Sequence, residues 1–141
     1  MKLSTKGRYA VRFMMELARR PDTQPQFLKN IARRQEISPR YLEQLVLNLK
    51  SAGLVRSIRG AKGGFILTRP ADQISLLDVY RASEGSLSIV ECIDNPSCCK
   101  QSAHCASRRL WEDVKISLSL ILGKKTLADL ARQQNRLETD A

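Results

Sequence analysis

Four cysteines and the only histidine of the chain fall within fourteen positions, Cys92 to Cys105. Cys92, Cys98, Cys99 and Cys105 are soft, ionisable donors, His104 adds an imidazole, and Asn95-Pro96-Ser97 is a turn sequence that folds the segment back on itself. The simplest chemistry for such a cluster is metal ligation. A disulfide staple is the bland alternative. It belongs to secreted domains, and Met1 to Lys6 carries no apolar leader stretch, so a cytoplasmic chain is expected. Structural zinc prefers ligand pairs two to four residues apart, whereas the intervals here leave five residues, none, and five again. Iron–sulfur clusters accept varied thiolate spacings and one nitrogen or oxygen ligand. Spacing alone leaves these readings open.

For catalysis, His104 would need a nucleophile and an orienting carboxylate. Cys105 and Asp94 are poor material for such a triad, and no enzyme is expected. The vicinal pair Cys98-Cys99 retains thiol redox chemistry.

The elements that position this loop belong to one domain of ordinary size, with 43% hydrophobic residues for a core. No run approaches the roughly 18 apolar residues of a membrane span. The net charge of +10 is uneven: residues 1–69 hold 15 Lys and Arg against 4 acidic residues, a net +11, and residues 70–141 hold 9 against 10. The first half therefore faces a polyanion: DNA, RNA or an acidic membrane.

Apolar spacing predicts a helix from Gly7 to Ala18 ended by Pro21, and a short helix over 27–37 with Leu28, Ile31 and Ala32 on one face. Ser38 and Pro39 then supply an N-cap and a first-turn proline for a third helix reaching Ala52. Its seam is Leu42, Leu45, Val46 and Leu49, and Gly53 stops it. Two helices joined in this way form a helix-turn-helix. With the seam inward, Arg40, Glu43 and Gln44 face out, with the chemistry to meet guanine, cytosine and adenine edges; an ordinary solvated helix face has the same pattern.

Leu54–Ile58 and Phe65–Thr68 read as two strands around a basic glycine-rich loop, Arg59 to Gly64. A hairpin in this position is the wing of a winged helix, with Arg59 and Lys62 as its DNA-contacting cations. The phosphate-loop pattern of nucleotide-binding proteins is absent. Ser75 to Asp78 reads as a capping box opening a helix to Ala82 that Gly85 ends. After the cysteine loop, a long helix to Leu122 carries Trp111, Val114, Leu118 and Ile121 as a heptad-like stripe suited to pairing with a second copy. Gly123 to Thr126 is expected to break it, a short helix Leu127–Gln133 follows, and the charged tail is expected to fray. The expected fold is mainly α with a small β-hairpin wing: a winged helix-turn-helix region (1–83), a cysteine-rich cluster-binding loop (84–106), and a dimerisation helix with its tail (107–141).

These motifs together resemble the IscR and NsrR type of iron–sulfur winged-helix transcription regulators. The resemblance rests on Met1 to Ala10, Ser38 to Leu45, Gly53 to Val55, Arg59-Gly60 with Gly63-Gly64-Phe65, three spaced cysteines, and Leu110-Trp111, and it covers nearly the whole chain. It implies a homodimer crossed through the long helix, binding a two-fold related double-stranded DNA operator with an affinity set by cluster state. It implies DNA contacts from the segment Ser38 to Gln44, with Ser38, Arg40, Tyr41, Glu43 and Gln44 as the candidates, and from the wing arginine Arg59, while Gly60 and Lys62 are candidates from the wing loop itself; Glu43 sits where IscR-like members use a glutamate to discriminate between sites. It also implies an iron–sulfur cluster, [2Fe–2S] or [4Fe–4S], on Cys92, Cys105, and Cys98 or Cys99.

The fourth ligand departs from the family pattern. Arg108 stands where IscR-like members have histidine, and Arg8 where NsrR-like members have an acidic residue. His104, the spare cysteine, Glu91 or an outside ligand is left to fill the place. Two further functions stay open: a cluster-free regulator answering to thiol chemistry or a metabolite, and a zinc-stabilised nucleic-acid-binding protein.

Overall fold

The computed structural model describes residues 3–20 and 24–141; Pro21 and the first two residues of the amino-terminal motif lie outside them. The element order is α1 (Thr5–Ala18), α2 (Leu28–Gln35), α3 (Pro39–Ser51), β1 (Val55–Ile58), β2 (Gly64–Leu67), α4 (Leu76–Glu84), α5 (Glu91–Asp94), α6 (Ala106–Lys124) and α7 (Leu127–Thr139). This is the expected mainly helical winged helix with a hairpin.

α1 is the central strut, packing on α2, α3, α4, α7 and β2. Phe13 and Met14 from α1, Ile31 from α2, Leu42 and Leu49 from α3, Ile74, Val79 from α4 and Leu127 from α7 are fully buried around it. Each such side chain contributes about 1.5–3 kcal/mol by leaving water. The helix-turn-helix bends at Glu36, which adopts the left-handed conformation (φ 54°, ψ 44°). Ser38 then caps α3, its side chain accepting from the Tyr41 N–H at 3.5 Å, with Pro39 at the first helical position.

β1 and β2 pair antiparallel, from Val55 opposite Leu67 to Ile58 opposite Gly64. The connecting loop closes through Gly63 N–H donating to the Gly60 oxygen at 3.0 Å. A Cβ on Gly63 would stand 2.1 Å from the Ile58 oxygen, so no other residue closes this turn.

Two capping boxes lie side by side. Ser75 with Asp78 opens α4, and Thr126 with Asp129 opens α7. Ser75 and Thr126 form a β-bridge, with Leu76 N–H donating to the Lys125 oxygen and Leu127 N–H to the Ile74 oxygen, both at 2.9 Å. That bridge requires Lys125 to be extended (φ −92°, ψ 132°), and α6 ends there. The break thus falls within Gly123 to Thr126, as expected, with Gly123 and Lys124 still in the last turn of the helix.

The expected frayed tail is corrected. α7 continues to Thr139 because Arg19 of α1 donates to the Asn135 side chain at 2.8 Å and pairs with Glu138.

The stripe read on α6 divides between two faces. Trp111, Leu118 and Leu122 line a groove of about 930 Å³ with Gly7, Val11 and Tyr80, whereas Ile121 points outward with Leu110, Ile116 and Leu120, each more than half exposed. The helix is apolar on both arcs, so periodicity alone does not choose between them. No helix among the described residues is long and apolar enough to cross a membrane.

Candidate functional site

The residues read as nucleic-acid contacts gather on two elements. Leu42, Leu45, Val46 and Leu49 hold one side of α3 in the core, and the opposite side leaves Arg40, Glu43 and Gln44 exposed, with Ser38 exposed at the N-cap. Leu47 belongs to the same exposed face, three residues after Gln44 and four after Glu43, and is 62% exposed. It was legible by the same spacing. Tyr41 differs from its neighbours: it is half-buried, with its ring edge-on to Tyr9 at 5.8 Å between centroids. Arg12 lies over that Tyr9 ring at 5.3 Å.

Arg59, Gly60 and Lys62 are all exposed at the tip of the hairpin. The wing base is anchored to α1 by Phe65, edge-on to Phe13 at 6.1 Å between centroids. Sequence reasoning missed Gln26, which adds a one-residue third strand beside Phe65. Its partner is 39 positions away, and nothing local marks it.

The five soft donors share one surface loop. Cys92 is half-buried in α5, Cys98 closes the turn Pro96–Cys98, Cys99 is exposed after it, His104 is exposed in the turn Ser102–His104, and Cys105 is the N-cap of α6. All four cysteines are free thiols. Cys105 Sγ faces the Ser107 hydroxyl at 3.2 Å and accepts from the Arg108 N–H at 3.4 Å, and these contacts pull its pKa down. The Cys98 thiol is pushed up by partial desolvation and then by the charges of Glu91, Cys92 and Cys99.

Arg108 donates through Nε to the Cys92 oxygen at 3.0 Å and pairs with Glu112. Asp94 is held down at about 2 by the Ser86 and Ser88 hydroxyls and the Lys115 ammonium, which pins α5 to α6.

Among the described residues, no three His, Cys, Asp or Glu side chains are gathered into a metal-ligating group. In chemical type the set nevertheless fits an iron–sulfur cluster: several thiolates and a nitrogen donor on a loop built of short turns.

Residues 3–133 match the family model described as "Rrf2: Iron-dependent Transcriptional regulator". The chain belongs to the Rrf2 family. This Rrf2 chain is 43% identical over 131 residues to the HTH-type transcriptional regulator CymR of Bacillus subtilis (strain 168), covering 93% of this chain and 90% of that one. The solved structure of B. subtilis CymR, described as the global cysteine regulator, matches with a TM-score of 0.78 at 41% identity, over 94% of this chain and 98% of that one. The T. potens IscR structure matches with a TM-score of 0.79 at 40% identity, over 95% and 88%. The winged helix and the IscR-type resemblance are thereby borne out, and the chain is a DNA-binding transcription regulator of the Rrf2 family.

Proposed function

We propose that the chain is a dimeric regulator whose cysteine loop senses iron–sulfur, redox or nitric oxide status and transmits it to operator binding. It is not an enzyme in this reading, and it works in the cytoplasm with the DNA it controls. Residues 1–83 read DNA, residues 84–106 carry the sensor, and residues 107–141 dimerise. The operator is contacted by Ser38, Arg40, Tyr41, Glu43 and Gln44 in the major groove and by Arg59, Gly60 and Lys62 from the wing. Leu47 adds an apolar contact of the kind that meets a thymine methyl.

The observation that carries the sensing assignment is Cys105 at the N-cap of α6. A change of ligation at its sulfur acts on the first turn of the long helix, and α6 packs on α4, which packs on both α1 and α3. Cys92, Cys105, and Cys98 or Cys99 would hold the cluster, with His104 offered as the fourth ligand. A bound cluster would supply a redox-active, nitric-oxide-reactive centre at the surface. The apolar outward arc of α6 and the groove beside it support the homodimer, because exposed apolar area of this kind marks an association surface.

A second reading is a cluster-free regulator responding through its thiols. The lowered pKa of Cys105 and the exposed vicinal pair favour it.

Anaerobic purification separates the two. Iron, acid-labile sulfide and visible absorption, all lost in Cys92→Ser and Cys105→Ser together with the change in operator affinity, are expected. Replacing Cys98 and Cys99 singly identifies the second ligand, and an unaltered spectrum in His104→Ala removes histidine from the site. A colourless protein whose operator affinity follows thiol oxidation supports the second reading. Stoichiometric zinc overturns both.

A further inference from the structure

The wing has an edge, and one residue covers it. Residues on an antiparallel strand turn their main-chain polar groups alternately to either side, and those of Phe65 turn away from β1. They meet Gln26: Phe65 N–H donates to the Gln26 oxygen at 2.8 Å, and Gln26 N–H donates to the Phe65 oxygen at 3.1 Å. The approach is close enough that a Cβ on Gly64 would stand 2.4 Å from the Gln26 oxygen, and Gly64 has φ +136°. The Gln26 side chain is itself locked. Its Nε2 donates to the Glu16 main-chain oxygen at 2.7 Å, and its Oε1 accepts from Arg34 of α2.

The Glu16 carboxylate is the hub of this arrangement. It is buried on α1 with the residue only 4% exposed, and it accepts from the Gln35 amide at 2.6 Å and from the Arg34 guanidinium at 3.1 Å. Arg19 reaches it at 3.3 Å and also grips α7 through Asn135 and Glu138. Gln35 in turn accepts from Arg12 Nε at 2.8 Å. A buried carboxylate with this many donors is held in one geometry, and removing a partner leaves a polar group without water. The network joins α1, α2 and the wing edge, the three parts whose relative angle sets where the hairpin tip stands against the α2–α3 pair.

We infer that Gln26 and Glu16 are positioning residues for the wing, holding Arg59 and Lys62 at the height from which they reach the DNA backbone or minor groove while α3 occupies the major groove. The inference rests on the DNA-contact reading of Arg59 given above. α3 needs no such support, because its own four buried side chains anchor it. The network therefore bears on the wing contribution to affinity and not on the base preference of α3.

The test is a cycle of operator affinities on the full-length protein: native, Gln26→Leu, Arg59→Ala and the double variant. Arg59→Ala weakens the native protein by roughly tenfold, the scale of one charge-assisted phosphate contact. In the Gln26→Leu background it is expected to weaken binding by less than about twofold, with the slope of log affinity against log salt already shallower by roughly 0.9 for each phosphate that the wing no longer reaches. The base preference from randomised-site selection should be unchanged. If Gln26→Leu fails to fold, judged by circular dichroism, Gly64→Ala undocks the same edge from the wing side and is expected to give the same non-additivity. An equal Arg59→Ala effect in all backgrounds overturns the positioning role while leaving the wing contact standing. No Arg59→Ala effect in the native protein overturns the wing contact, and the positioning role falls with it.

Discussion

Arg108 links the first and last cysteines of the loop: its side chain donates to the Cys92 oxygen at 3.0 Å while its main-chain N–H points at Cys105 Sγ at 3.4 Å. Through these two hydrogen bonds Arg108 holds the two ends of the loop together. Arg108→Ala keeps the main-chain hydrogen bond and removes the side-chain one. Amide exchange over residues 91–99 is then expected to speed up by about fivefold, equivalent to a hydrogen bond of about 1 kcal/mol. Hydrogen–deuterium exchange measured by mass spectrometry decides this, and unchanged protection would show that the loop is closed by something else.

On the DNA side, Arg40→Ala and Gln44→Ala are expected to relax base preference by about 1–3 kcal/mol at the positions they read, since bidentate base-edge contacts carry that discrimination. Lys62→Ala should instead weaken every sequence alike and reduce the salt slope by roughly 0.9 per subunit. Selection from randomised sites, followed by binding titrations across salt, distinguishes the two behaviours. The same selected motif for Arg40→Ala, Gln44→Ala and the native chain would remove α3 as the reading helix.

The outward arc of α6 predicts a clean separation of assembly from folding. Leu120 and Ile121 are 57% and 60% exposed in one chain, so Leu120→Glu with Ile121→Glu should change the stability of the single chain by only about 0.5 kcal/mol each. The same charges in a helix-to-helix interface would be desolvated without partners, and the proposed dimer is expected not to form. Sedimentation equilibrium should read a monomer with native circular dichroism; a dimer of unchanged strength would move the interface elsewhere.

Acid acts on the start of α7. The Asp129 carboxyl lies below its ordinary value of 3.8, chiefly through the Thr126 main-chain N–H and then the Thr126 hydroxyl, with Arg132 adding to it. A group depressed in the fold contributes stability that is fully present above its ordinary value. That contribution is lost as pH falls through the depressed one. Below about pH 4 the capping box is therefore expected to weaken, loosening the start of α7. Asp129→Asn should be less stable than the native chain at neutral pH and show a smaller further loss on acidification, followed by thermal melts monitored by circular dichroism between neutral and acid pH.

By itself the sequence determined those parts whose causes lie within a few residues of one another. Ser38 and Pro39 start α3, the seam from Leu42 to Leu49 orients it, Ser75 and Asp78 open α4, and two short apolar runs around the glycine-rich loop Arg59 to Gly64 make the hairpin. Caps, periodicity and turn chemistry act locally, so they survive in a string of letters. The five soft donors between Cys92 and Cys105 were legible for the same reason, as residue types at a spacing. Tertiary structure decided the rest. α7 reaches Thr139 because Arg19, more than a hundred residues earlier, holds Asn135 and Glu138. Within the break expected over Gly123 to Thr126, the exact end of α6 is set where Ser75 pairs with Thr126. Trp111 faces its own chain while Ile121 faces out, and Gln26 becomes the edge of the wing. Each of these outcomes depends on a partner brought near only after α1 has gathered the other helices around Phe13 and Met14, and no local pattern encodes which distant surface will arrive.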